Sequence, residues 1–251
     1  MQLHYQIEGE GEPIILLHGL FGSLSNLGVL TRHLHNHYQT ITVDLRNHGL
    51  SPWSSEMSYS LMADDISQLI EKLKLQQVTV IGHSMGGKIS MQLLANLPEA
   101  IKQVIVLDIA PVNYPLNLHQ DVFMALDESI KSGLSDSKAI IAIMQHYISL
   151  PVAQFLLKSF KHGSWLFNFK AIRNNYTYLA GWQTIETCYK PIYFLKGSHS
   201  DYIKPSYHQD ILEQFPLAQI FTIDGAGHNV HAEQPQQVLN IIDSILTSTT
   251  N

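Results

Sequence analysis

Six short β-branched runs recur along the chain, at residues 14–17, 40–43, 78–81, 104–107, 192–195 and 219–223, with helix-like text between most of them. Apolar runs that do not alternate suit strands buried on both faces, so the pattern predicts a mostly parallel sheet in an α/β domain with helices on both faces. The spacers carry the complementary period. After Ser60, residues 61–75 place Leu61, Ile66, Leu69, Ile70 and Leu73 on one helical stripe, with acids in the early turns and lysines in the last, as the helix dipole prefers. Residues 85–97 and 235–246 read the same way. At the start, LHYQI alternates and is followed by EGEGEP, which predicts an outer antiparallel hairpin strand.

The alternation of strand and helix stops once. Residues 112–187 contain no strand-like run, only amphipathic helical text with Phe155, Phe160, Trp165, Phe167, Phe169, Tyr176, Tyr178 and Trp182. The stretch is too long for a loop and too embedded for a separate domain. It predicts a helical cap inserted between two sheet strands, leaving 1–111 and 188–251 as the core.

Composition narrows the functional classes. A chain of 251 residues, 45% hydrophobic, can bury one large core, and its net charge of −6 is the wrong sign for a nucleic acid partner. Its one cysteine, Cys188, cannot form an internal disulfide or a thiolate zinc cluster, and the opening MQLHYQIEGEGEP lacks an export pattern. A reducing, cytoplasmic compartment is expected. No apolar run approaches the roughly 20 residues of a membrane helix, so no membrane association is expected. Residues 137–185 hold Lys138, Lys158, Lys161, Lys170 and Arg173 and no acid, a balance of +5 against −6 for the whole chain and hence −11 elsewhere. Such a lobe would draw an anionic substrate toward a cleft, whereas the same charges spread over solvated helix faces would do nothing.

The chemistry is concentrated after the run at 78–81. Gly82-His83-Ser84-Met85-Gly86 follows a strand and opens a helix, which is the context of a G-x-S-x-G nucleophile elbow. There the serine occupies a strained turn, and flanking glycines remove side chains that would clash. A serine hydroxyl needs a base. Of 14 histidines, His228 in Asp224-Gly225-Ala226-Gly227-His228 follows the last strand, where its loop reaches the same sheet edge. His18 is expected to hold its own loop, and His83 and His231 to support the site or the fold. His33, His35 and His37 are read as solvated helix residues rather than metal ligands. The oxyanion donors are expected from the backbone N–H groups of Met85 and of Leu20 in His18-Gly19-Leu20-Phe21-Gly22, with Phe21 lining the substrate pocket. Two acids compete. Asp108 closes the strand at 104–107, where a buried carboxylate must find hydrogen bonds, and is preferred; Asp201, beside Ser200 in a polar turn, is the alternative.

These segments together, HGLFGS at His18, DLRNHGLS at Asp44, GHSMGGK at Gly82, DIAPVNY at Asp108 and GAGHNVHAE at Gly225, resemble the α/β-hydrolases of the YbfF-like esterase group over essentially the whole chain. The resemblance implies an α/β-hydrolase fold with a helical cap and a serine esterase acting on short to medium acyl esters, with acyl-CoA thioesters as a further class. It implies a triad acid at Asp108 and a serine near the triad at Ser200, although Asp201 directly after Ser200 departs from the group. Arg46, Asn47 and His48 match a loop that either braces the site or touches substrate. No metal or cofactor is called for, and the oligomeric state is open between a monomer and a weak dimer. The alternatives are a carbon–carbon bond hydrolase or a menaquinone-pathway-type lyase on the same fold, or a non-catalytic receptor or carrier.

Overall fold

A computed structural model describes residues 1–248. Its strands are β1 (Tyr5–Glu8), β2 (Pro13–Leu17), β3 (Gln39–Val43), β4 (Val78–His83), β5 (Ile101–Leu107), β6 (Phe160–Lys161), β7 (Ser164–Trp165), β8 (Ile192–Gly197) and β9 (Ala218–Ile223). The α-helices are α1 (Gly28–Leu34), α2 (Tyr59–Lys72), α3 (Met85–Asn96), α4 (Gln120–Ser132), α5 (Ser137–Met144), α6 (Leu150–Leu157), α7 (Phe169–Asn174), α8 (Tyr176–Ala180), α9 (His208–Gln214), α10 (Val230–Glu233) and α11 (Pro235–Ser248).

The main sheet runs β1-β3-β2-β4-β5-β8-β9, parallel throughout except for β1. The side-chain period of two divides each apolar run between two cores. Ile15 and Leu17 of β2 join α2, α3 and the cap on one face, while Ile14 and Leu16 face α1 and α11 on the other. Val104 and Val106 of β5 part from Ile105 and Leu107 in the same way. Burying one such side chain contributes about 1.5–3 kcal/mol, so the run that read as two-sided is held from both sides.

Three details differ from the sequence reading. β1 is the outer antiparallel strand but pairs Tyr5 with Val43 and Glu8 with Thr40 of β3, so EGEGEP is a crossing turn and not a hairpin. The helix at 59–72 is capped by Ser58, whose Oγ accepts the Leu61 N–H at 3.3 Å, and its first turn holds no acid. Asp65 lies deeper and is buried because Arg46 Nε donates to it at 2.6 Å and the terminal amine of Met1 at 2.7 Å. The third lies between 112 and 187, where β6 and β7 form a two-stranded antiparallel ribbon, Phe160 opposite Trp165, among five helices. A ribbon so short leaves no periodicity to read. No helix among the described residues is long and apolar enough to cross a membrane.

Candidate active site

Parallel strands deliver their loops to one edge, and here those after β2, β4, β5, β8 and β9 meet. Ser84 sits between β4 and α3 at φ 51° and ψ −117°, a conformation few non-glycine residues adopt. Backbone packing imposes it. A Cβ on Gly82 would lie 2.3 Å from the Gly86 carbonyl oxygen, and one on Gly86 would lie 2.3 Å from that of Leu17, so both glycines are required for the turn to close. Met85 opens α3, and the first N–H groups of a helix have no partner within it.

The Ser84 hydroxyl donates to Nε2 of His228 at 3.0 Å, and Nδ1–H of His228 donates to Oδ2 of Asp108 at 2.8 Å. Asp108 is fully buried and its carboxylate is well supplied with donors. Gly197 N–H reaches Oδ1 at 2.9 Å, and the Ser200 hydroxyl donates to Oδ2. Ser200 therefore touches the carboxylate, while Asp201 does not: its side chain is 91% exposed and its nearest cation is Lys204 at 3.9 Å. The two neighbours in sequence face opposite environments.

Around this chain the histidines are neutral supports. His18 donates from Nδ1 to the Gly19 carbonyl at 2.8 Å and accepts the Leu45 N–H at Nε2 at 3.1 Å. His48 donates to the Arg46 carbonyl at 2.9 Å and accepts the Phe21 N–H at 3.1 Å. Burial, followed by the neighbouring His18, pushes the pKa of His48 down to about 3. His83 donates from Nε2 to the His228 carbonyl at 3.0 Å, and His231 packs edge-on against the His83 ring. Burial holds His231 at about 4. Arg46 and Asn47 brace the loop and dock the cap: Arg46 pairs with Asp65, and the Asn47 carbonyl accepts the Asn168 N–H at 2.8 Å. His33 is solvent-accessible on α1, and its Nε2 also lies 2.9 Å from Asp243 of α11, a residue 210 positions away.

Two cavities open beside Ser84. The larger, about 230 Å³, is lined by Phe21, Val152, Phe155, Leu156 and His228; the smaller, about 30 Å³, by Met85, Ile109, Tyr114 and Leu179. Leu20, His119 and Tyr202 face both. Phe21, at φ 61°, is buried against Phe123 and Phe167, and its carbonyl accepts the Ser159 hydroxyl at 2.7 Å.

Sequence reading passed over three residues here. Tyr202 stacks on the His228 ring, centroids 3.7 Å apart and planes 17° apart. His119 of the cap meets the Tyr202 hydroxyl at 2.9 Å. Lys88, inside the quoted GHSMGGK, is fully buried with no carboxylate partner; its Nζ donates to the carbonyls of Val112 at 2.8 Å and Gly181 at 2.7 Å, the two ends of the cap. Only a lysine on the buried face of α3 hinted at this. The basic lobe also looks different in three dimensions. Arg173 lies 3.4 Å from Asp127 of α4, and the whole of 112–187 holds five acids against six bases, so the +5 of residues 137–185 is offset from within the cap.

The family model for the alpha/beta hydrolase fold matches residues 12–139. The chain is an α/β-hydrolase. It is 43% identical to Esterase YbfF of Escherichia coli over 238 residues, covering 94% of each protein. It is 33% identical to the sn-1-specific diacylglycerol lipase ABHD11 of Mus musculus, over 93% of this chain and 80% of that one. Among solved structures, a marine microorganism esterase superposes with a TM-score of 0.92 at 36% identity, over 97% of this chain and 98% of that one. This α/β-hydrolase is thus an enzyme of the esterase and lipase type, like the YbfF-like esterases that its motifs resemble.

Proposed function

We propose that the protein hydrolyses carboxylic esters through an acyl-enzyme on Ser84. The observation that carries the reading is the unbroken chain from Ser84 Oγ through His228 to the buried Asp108. Ser84 Oγ attacks the acyl carbon while His228 Nε2 takes its proton, and the carbonyl oxygen, now negative, is held by the N–H groups of Leu20 and Met85. His228 returns the proton to the departing alcohol. Water then loses a proton to His228, attacks the acyl carbon and releases the acid, restoring Ser84. Asp108 keeps Nδ1 protonated, so that Nε2 faces Ser84 as the acceptor.

A thioester would follow the same path with a thiol leaving, and one observation favours including it. Val152, Phe155 and Leu156 of α6 line the larger cavity, and the exposed Lys158 directly follows α6, where it would meet a phosphate-bearing thiol arm. Screening acts over about 8 Å at 0.15 M salt, so kcat/KM for butyryl-CoA is expected to fall with salt while that for p-nitrophenyl butyrate stays level. Parallel curves would remove the thioester from the reading.

A fluorophosphonate probe tests the acyl-enzyme directly. It is expected to label the native protein and spare Ser84→Ala, whose turnover of p-nitrophenyl butyrate falls by at least about 10⁴-fold because the three residues act as a unit. Undiminished labelling of the alanine variant overturns the assignment.

A further inference from the structure

Tyr202 and His119 carry none of the chemistry above, yet together they connect the cap to the base. Tyr202 is fixed from several directions. Its N–H donates to Ser200 Oγ at 3.2 Å, and its carbonyl accepts the Tyr114 hydroxyl at 2.6 Å, while Tyr114 itself accepts the Ala110 N–H at 2.9 Å. The ring lies flat on His228, and its hydroxyl is held by His119 Nε2 at 2.9 Å. On the far side, Nδ1 of His119 meets the Tyr176 hydroxyl at 2.6 Å. Burial keeps His119 neutral, so one ring nitrogen donates and the other accepts; the tautomer that satisfies both neighbours has Tyr202 donating to Nε2 and Nδ1–H donating to Tyr176.

His119 and Tyr176 both belong to the cap, and Tyr202 to the loop after β8. We propose that Tyr202 is a positioning residue for His228, and that the cap sets it through His119. The flat π face contributes in two ways. It limits rotation of an imidazole otherwise held at its two nitrogens and by the tilted His83 ring 4.9 Å away, and it favours the imidazolium that forms when Ser84 gives up its proton. The groups facing His228 otherwise are Asp108, which favours the cation, and His83, His119 and His231, which as neutral rings add no charge. The cap is then part of the base's scaffold as well as a cover over the cavity. The inference rests on the serine esterase reading and deepens it.

The test is a set of variants assayed on p-nitrophenyl butyrate from about pH 5 to 9, a range that spans the ordinary histidine pKa. Tyr202→Leu removes the ring, and its kcat is expected to fall about 50-fold, the scale of a misplaced catalytic group. Its acid limb in kcat/KM is also expected at lower pH, because the imidazolium has lost its π partner. Tyr202→Trp, which keeps a ring, is expected to restore most of the rate and the limb. Tyr202→Phe removes the bond to His119, and His119→Phe removes that bond together with the one to Tyr176; loss of the bond they share is expected to cost about 5-fold in kcat in each. The double variant is expected to lose no more than either alone, because both act through that bond. Multiplying losses in the double variant, an unmoved acid limb in Tyr202→Leu, or losses in KM alone overturn the proposal. Absence of turnover and of probe labelling in the native protein would instead strike the esterase reading itself. Thermal melts identify any variant that fails to fold, and the Phe and Trp variants, which keep the packing, then decide the matter.

Discussion

The sheet edge and the cap above it are held by different means. At the edge, Ser84, Asp108 and His228 follow β4, β5 and β9, and backbone fixes the first two: Ser84 N–H donates to Leu107 O at 3.0 Å, and Asp108 N–H to Leu195 O at 2.9 Å. The cap reaches the core through one short backbone contact, the Asn168 N–H on the Asn47 carbonyl beside the bridge between His48 and Phe167, and otherwise through single side-chain ties. Lys88 holds its two ends, Ser159 bonds the Phe21 carbonyl, and the Tyr59 hydroxyl donates to the Leu179 carbonyl at 2.6 Å. Ladders of parallel strands tolerate little displacement, whereas a contact made by one side chain can be lost alone. On the proposed reading, the reacting groups sit on the strand ladders and the cavity walls on the part held by fewer ties.

The strongest challenge to the comparison is at Asp108. An amide there leaves His228 with the wrong nitrogen protonated, so Asp108→Asn is expected to lower kcat by about 10⁴-fold, as in a serine protease triad. Asp201→Asn, in the same loop as Ser200, is expected to change it less than about 2-fold, since exposed surface charges contribute little. Comparable losses in the two variants would mean that the edge is not as fixed as its hydrogen bonds imply.

Next comes Gly86→Ala. Its new Cβ meets the Leu17 carbonyl, so β2 and α3 must part, and a stability loss of about 3 kcal/mol or more is expected in urea unfolding. A loss below about 1 kcal/mol would show that the elbow yields more readily than the parallel strands allow.

On the cap side, Lys88→Met keeps the volume and leaves buried carbonyls without a donor. Local opening of residues 112–187 is expected to become easier by about 1–3 kcal/mol, read as faster proteolysis within the cap and faster amide exchange there. Unchanged cleavage would mean that the remaining ties suffice. Lys88 also carries a pH signature. Burial lowers its pKa from 10.5 to about 7, so between those values the unfolded chain binds more protons, and the stability that this lysine contributes rises with pH. Denaturant midpoints of the native protein relative to Lys88→Met are therefore expected to climb from pH 7 to 10.

A further expected effect is acid destabilisation between pH 6.5 and 5. His48, His119 and His231 are held by burial at about 3, 4 and 4, below the ordinary 6.5. Their contribution is complete above 6.5 and declines as pH falls toward those values, because the unfolded chain takes up protons first. A midpoint that stays flat over this window would show that the rings near the edge and cap open to solvent.

The sequence by itself determined much of the edge. Two-sided apolar runs required a covered parallel sheet, and Gly82 and Gly86 around Ser84 required a turn in which no Cβ could sit. These are local constraints, legible because strand period and glycine chemistry act within a few residues. Asp108 was legible on similar grounds, as a carboxylate ending a buried strand, and Ser200 only through resemblance.

What only the tertiary structure decided is who meets whom across long separations. Tyr202 lies two residues past Ser200, yet its contacts are with a ring 26 positions on and an imidazole 83 positions back. Lys88 reads as an ordinary helix lysine until both ends of the cap close over it. Residues 137–185 carry +5 when counted alone, and folding brings Asp127, which lies outside that stretch, to 3.4 Å from Arg173. Periodicity reports which face of an element is buried and not what it is buried against. Partner choice is set by packing among elements distant in the chain, and no short stretch of sequence contains it.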